Sequence, residues 1–107
     1  QLRDACLAFG PCARCGARVV RRSARLVVNG SHEHSFMNPA GLRFVVRCWS
    51  SAPGCIGSGE RSTVWTWFPG FAWEIESCRV CWVHLGWSFH GATTFYGLIR
   101  ERLVEPS

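Results

Sequence analysis

The sequence predicts an all-β, antiparallel protein. Three observations carry that expectation: short runs of alternating polarity, Gly-, Pro- and Asn-containing turns between them, and two Cys-x-x-Cys pairs far apart in the chain. At 107 residues, 48% hydrophobic and 18% charged, the chain reads as one folded domain over 1–107, large enough to bury a core. No apolar run approaches the roughly 18 residues of a membrane span, so no membrane partner is expected. A chain that opens on Gln1, without Met or a basic-then-apolar leader, reads as an excised or processed fragment.

Taken in order, Cys6, Leu7 and Phe9 form a short lead-in to Cys12-Ala13-Arg14-Cys15-Gly16. Glycine after the second cysteine allows the positive φ that a tight metal-binding knuckle needs. Val19-Val20 and Leu26-Val27-Val28, joined through Arg21-Arg22-Ser23, look like a hairpin, and Asn29-Gly30-Ser31 marks a turn. His32 to Gly41 is polar and turn-rich. From Leu42 to Trp49 the pattern alternates, with Leu42, Phe44, Val46 and Cys48 opposite Arg43 and Arg47: a half-buried strand. Ser50 to Ser62, rich in Ser, Gly and Pro, reads as a loop with Cys55 and Ile56 tucked inward. If extended, Val64, Thr66 and Phe68 alternate with Trp65 and Trp67. After Pro69-Gly70, Trp73, Ile75 and Ser77 oppose Glu74 and Glu76 in another short strand. The tail from Thr94 to Val104 has an ambiguous period that leans to strand.

Five of the six tryptophans fall between residues 65 and 89, three around Pro69-Gly70 and two just after a second knuckle, Cys78-Arg79-Val80-Cys81. Large rings usually mean core. Here Pro69, Gly70 and Gly86 interrupt them, and a ring-walled pocket braced by a metal is the expected outcome.

The net charge of +5 comes entirely from twelve scattered arginines; there is no lysine. Only Arg14 to Arg25 approaches a patch, and a solvated strand face accounts for it better than a nucleic-acid surface. Seven cysteines is an odd count, and four of them form the two pairs. That pattern points to a metal and a reducing compartment, cytoplasmic or nuclear, rather than to a disulfide framework. Cys12, Cys15, Cys78 and Cys81 make a tetrathiolate set for one structural zinc ion, since no coordination position is left open. With 62 residues between the pairs, the metal is expected to join two ends of a domain. Cys6, Cys48 and Cys55 read as small buried hydrophobes, and His32, His34, His84 and His90 as structural histidines. No catalytic constellation can be assembled, so no enzyme activity and no catalytic residue is expected.

Asn38-Pro39-x-Gly41, Trp67-Phe68-Pro69-Gly70-Phe71-Ala72-Trp73 and Cys78-x-x-Cys81-x-x-His84-x-Gly86-Trp87-x-Phe89, in that order, closely resemble the thalidomide-binding (CULT) domain family of cereblons. The resemblance runs from the first knuckle to Gly97-Leu98. It implies a β-tent: two antiparallel sheets pinned by a zinc ion on the four matching cysteines. It implies a pocket walled by Trp67, Trp73 and Trp87 with Phe89 as floor, rimmed by Asn38, Pro39, Trp65 and Thr66. It further implies binding of glutarimides such as thalidomide and of cyclic imides at protein C-termini, as the substrate-receiving part of a cullin-type ubiquitin ligase. Any adaptor contact would lie in parts of the parent chain not present here. Trp65 stands where human cereblon has histidine, which alters the contact to whatever extends from the imide.

Three other readings compete. A cage of rings could hold a methylated ammonium by cation–π attraction, with Glu74 and Glu76 assisting. The two-knuckle arrangement is also similar to methionine-R-sulfoxide reductases, but these need a reactive cysteine late in the chain, where Phe95-Tyr96-Gly97 stands. Arginines and exposed rings could serve a zinc-ribbon nucleic-acid binder.

Overall fold

The computed structural model describes residues 8–106; the Cys6-Leu7 part of the expected lead-in lies outside the described residues. Among the described residues, eight strands form two antiparallel sheets. β1 (Phe9–Pro11) pairs with β2 (Arg18–Arg21) in the smaller sheet. The larger sheet contains β3 (Glu33–Met37), β4 (Arg43–Trp49), β5 (Cys55–Ser62), β6 (Ala72–Cys78), β7 (His84–His90) and β8 (Thr94–Ile99). Their spatial order is β3-β4-β8-β7-β6-β5. Among the described residues no helix is long and apolar enough to cross a membrane.

Two buried clusters divide the interior. One joins the sheets through Val19, Val20, Trp49, Leu85, Leu98 and Leu103. The other lies on the opposite side of the larger sheet, where Cys48, Phe68, Phe89 and Phe95 pack beneath Phe36, Trp67, Trp73 and Trp87. Isolated bridges from Cys12 to Leu103 and from Arg25 to Trp49 tie the small sheet to the large one.

The strands at 43–49 and 72–78 lie where the alternation puts them, and the tail of ambiguous period is a strand over 94–99 before a 3₁₀ turn at 100–102. Asn29 (φ 49°) and Gly30 (φ 85°) form a turn with positive φ at both central residues, closed by Val28 and Ser31, each donating its N–H to the other's carbonyl. Three expectations are overturned. Val19-Val20 does not form a hairpin with Leu26–Val28: β2 takes the upstream β1 as its partner, and Arg22–Ala24 coil into a 3₁₀ turn. Arg18 and Arg21 then lie over the Phe9 ring at 4.7 and 5.1 Å, which draws part of the basic run into cation–π contacts. The polar segment from His32 contains β3, because His34 and Phe36 face inward while Glu33, Ser35 and Met37 face out. His32 Nδ1 meets Leu26 O at 3.0 Å and His34 Nε2 meets Val28 O at 2.9 Å, so both imidazoles serve as packing groups.

The third correction is β5. Its Gly-Ser-rich sequence hides a strand that β6 holds by side chains as well as by the ladder. The register is broken between Gly57 and Arg61, and there Glu74 accepts the Gly59 N–H (2.9 Å) and Arg61 Nε–H (3.2 Å). A Cβ at Gly57 would stand 2.1 Å from Glu74 Oε2, so only glycine leaves room for the carboxylate.

β6 presents its carboxylates inward. Glu74 and Glu76 are 8% and 6% exposed, whereas Ile75 is 40% exposed. The buried face is polar but partnered: Ser88 Oγ lies 2.7 Å from Glu76 Oε2 and 2.8 Å from His90 Nε2. Burial holds Glu76 above the ordinary carboxylate range, the Ser88 hydroxyl opposes that, and Glu74 adds to it. Glu74 moves the other way: burial opposes its ionisation, but the Gly59 N–H and Arg61 outweigh it.

A raised folded-state pKa makes ionised Glu76 a cost that is present at neutral pH and relieved as pH falls through that pKa. Glu76→Gln is therefore expected to stabilise the chain at pH 8 by on the order of 1 kcal/mol, roughly 4–8 °C in Tm for a chain of this size. The gain should shrink in acid, where Glu76 is already neutral. Thermal melts of both proteins from pH 8 to pH 4 check this, and a gain that grows on acidification would contradict it.

Candidate functional site

The two knuckles have the same backbone. In the first, Cys12 N–H donates to Ala17 O and Gly16 N–H to Cys12 O, both at 2.8 Å. In the second, Cys78 N–H donates to Val83 O (2.8 Å) and Trp82 N–H to Cys78 O (2.9 Å). Gly16 takes φ 79°, as expected from its place after Cys15, and Trp82 takes φ 66° at the matching position. The first knuckle follows β1 and the second follows β6, so the pair joins the two sheets at one end.

All four sulfurs lie within 4.8 Å of one another, with Cys12–Cys81 at 3.8 Å and Cys15–Cys78 at 3.6 Å. These are not disulfide distances. A tetrahedral thiolate site with metal–sulfur bonds of about 2.3 Å has sulfur–sulfur edges of about 3.8 Å, close to the two shortest separations here. Burial opposes the Cys78 thiolate, yet the N–H groups of Cys81 and Val80 and the neighbouring thiols bring it down to about 7. Cys15 gains from the Ala17 N–H but is pushed up to about 11 by burial and by the other three thiols. Four thiolates at this spacing need a cation among them, and Cys12, Cys15, Cys78 and Cys81 can hold a metal ion.

The second feature is a cavity of about 400 Å³ on the face of the larger sheet away from Glu74 and Glu76. β6 contributes Trp73 and Ile75, and β7 contributes Trp87 and Phe89, in cross-strand register as Trp73↔Phe89 and Ile75↔Trp87. The 63–71 loop contributes Val64, Trp65 and Trp67, and the turn after β3 contributes Asn38 and Pro39. Trp67 and Trp87 meet edge to face at 4.7 Å; Phe36 stacks on Trp67 at 4.8 Å, and His84 lies edge-on to Trp87 at 4.8 Å. Trp73 Nε1–H donates to Val64 O at 2.7 Å, which ties strand to loop. Buried Phe89 forms the floor.

The structure thus brings seven of the expected residues, Asn38, Pro39, Trp65, Trp67, Trp73, Trp87 and Phe89, to one cavity. Thr66 is different. Its hydroxyl turns inward to Phe71 O (2.8 Å), and the residue lines an adjoining groove instead. Residues 63–67 are not extended, because Trp65 is left-handed (φ 58°) and Thr66 N–H turns back to Thr63 O. Asn38 spends its side-chain oxygen on the Leu42 N–H (2.9 Å) and keeps its amide NH₂. Phe44, Val64, Ile75 and His84 also line the cavity and were not expected there. The alternation that placed Phe44 on an inward face, and Ile75 on the same face as Trp73, was the available signal; Val64 carried none. His84 Nε2 lies 2.9 Å from Gly86 O, and burial holds its pKa below that of free histidine, so a neutral ring faces the cavity. Glu74 and Glu76 sit behind the sheet and give no carboxylate to this wall.

No family model matches the chain. Curated relatives do: "Protein cereblon" of Gallus gallus is 43% identical over 76 residues, and that of Danio rerio 42% over 76, each across 65% of this chain. The Xenopus tropicalis protein is 47% identical over 58 residues, 45% of the chain. Over these spans the chain is similar to part of cereblon. It spans only 13–18% of the length of these relatives.

Two variants separate the roles within this site. Cys78→Ser is expected to lose bound metal and the cooperative melt together, because metal binding and folding are coupled at such sites; a cooperative melt in metal-free protein would contradict this. Trp82→Gly, which removes a left-handed non-glycine residue that is 66% exposed, should keep the metal and raise stability by about 1 kcal/mol. Elemental analysis beside thermal melts reads both.

Proposed function

We propose that residues 1–107 form a single non-catalytic recognition module that binds glutarimide and related cyclic-imide groups in the cavity walled by Trp67, Trp73 and Trp87. The observation that carries this reading is the pairing of an aromatic box with unpaired backbone polar groups on one wall. A glutarimide has an apolar methylene edge and a polar edge with one N–H between two carbonyls. Ring walls take the methylenes out of water at about 0.8 kcal/mol each. The buried imide N–H then needs an acceptor, since leaving it unpaired costs roughly 1–3 kcal/mol. The N–H and C=O groups of Trp65 and Trp67 have no partner among the described residues and stand in the loop that lines the box. The turn at Trp65, rather than an extended run, is what offers them. A ring of about eight heavy atoms at up to ~1 kcal/mol each supports micromolar affinity.

On this reading the four cysteines hold one structural zinc, whose role is to fix the fold and not to take part in chemistry. The parent protein is then a substrate receptor of a cereblon-type ubiquitin ligase in the cytoplasm or nucleus. Its targets are proteins with C-terminal cyclic imides, or proteins recruited by thalidomide-type drugs, and adaptor contacts belong to the remainder of that protein. The absence of lysine fits a receptor that offers no side-chain amine for ubiquitin itself.

The rival readings lose their support. A methyl-ammonium cage would want a carboxylate in the wall, and Glu74 and Glu76 face away from it. Sulfoxide chemistry needs a reactive thiolate, and burial pushes both Cys48 and Cys55 up to about 12. Arg25 and Arg47 are paired with Glu105, and Arg47 and Arg100 with Glu33, which takes them out of a free basic surface.

Tryptophan fluorescence titration tests the proposal. The parent should bind glutarimide in the micromolar range and N-methylglutarimide at least about tenfold more weakly, because methylation removes the N–H donor. Trp67→Ala and Trp87→Ala should each abolish binding with metal content unchanged. Equal binding of both imides, or binding retained in either variant, would overturn the reading.

A further inference from the structure

Trp65 is held where a bulky residue is costly twice over. Its φ of 58° lies in the left-handed region, which disfavours non-glycine residues by roughly 1–2 kcal/mol, and its ring is 74% exposed. The loop that carries it is nevertheless pinned. Val64 N–H donates to Ser62 Oγ (3.0 Å), Val64 O accepts from Trp73 Nε1, and the Thr66 hydroxyl is tied to Phe71 O. A strained, solvent-facing residue on a pinned loop, beside a cavity, points to a role outside folding.

The cavity architecture indicates that role. A second groove of about 350 Å³ adjoins the aromatic box, and Asn38, Pro39, Trp65 and Trp67 line both. Met37 and Thr66 complete the groove, and Met37 is itself half exposed. A group leaving the box on the Trp65 side therefore enters the groove. None of its six lining residues is charged. A charged arm would find no counter-ion there and would lose hydration, whereas an apolar arm would cover Trp65, Met37 and Pro39.

We infer that Trp65 and Met37 make the site selective for cyclic imides that carry an apolar arm, and in a protein C-terminus for an apolar residue immediately before the imide. This rests on the proposed imide reading and adds its substrate preference. The left-handed backbone at Trp65 turns the chain so that one residue serves the box and the groove together.

Three probes test it: C-terminal glutarimides preceded by acetyl-Phe, acetyl-Gly or acetyl-Glu. The parent is expected to bind the Phe probe roughly tenfold tighter than the Gly probe, with the Glu probe weakest. The readout is the ratio of Gly to Phe dissociation constants within one protein, so any effect of a variant on the imide head cancels. Trp65→Asn, chosen because asparagine tolerates the left-handed region, should bring that ratio below about threefold, and Met37→Ser should lower it as well. Equal Phe and Gly affinities in the parent, or a ratio unchanged in Trp65→Asn of intact melt and metal content, would overturn the inference while leaving imide binding in place. If the parent bound neither the Gly probe nor unsubstituted glutarimide, the imide reading itself would fail and this preference with it.

Discussion

Four sulfur atoms within 4.8 Å of one another set the terms for the rest of this chain. They come from the ends of strands in different sheets, with 62 residues between the two pairs, and they can be thiolates together only around a cation. Once the knuckles close, β6 must arrive at Cys78 and β7 must leave shortly after Cys81. Trp73 and Trp87 lie on those strands, five residues before Cys78 and six after Cys81, so the box is built on rods anchored at one end by the cluster. Placing the Trp73 and Trp87 walls of the cavity on paired strands keeps these two rings in fixed relation.

Strand alternation supplies the second constraint. Because Trp73 and Ile75 face the cavity, Glu74 and Glu76 must face the other way, and the same logic sends Ser88 and His90 behind Trp87 and Phe89. The interior accepts these polar groups only because each finds a partner: Gly59 and Arg61 for Glu74, Ser88 for Glu76, and Ser88 again for His90. The bulge of β5 is the local consequence. It brings a backbone N–H and an arginine over Glu74 where a regular ladder would not.

Much of this was legible in the sequence, for identifiable reasons. Cys-x-x-Cys spacing limits where sulfurs can point, so the metal cluster could be read directly, and long alternation revealed β4 and the span of β6. The polarity of β6 resists such reading: a Trp-Ile face opposite a Glu-Glu face ordinarily places the apolar side inward, and here the outward face is the cavity wall. β5 was hidden because its glycines and serines are turn residues by composition, while what holds Gly57 and Gly59 in place is a carboxylate fifteen or more residues away. The partner of β2 was missed because a near-sequence hairpin competes with an upstream strand only three residues long.

Three departures from local rules lie together. The inverted β6, the bulged β5 and the left-handed Trp65 occupy one contiguous span from Cys55 to Cys78, and that span carries the loop and strand lining most of one side of the cavity. Most of β4, farther from it, follows the alternating pattern closely. A chain selected only for stability would have little reason to expose Ile75 and Trp65 while burying two carboxylates nearby. That three such conflicts between local preference and tertiary outcome adjoin one cavity supports the proposed recognition role, which needs rings and unpaired backbone groups facing solvent that folding alone would have covered.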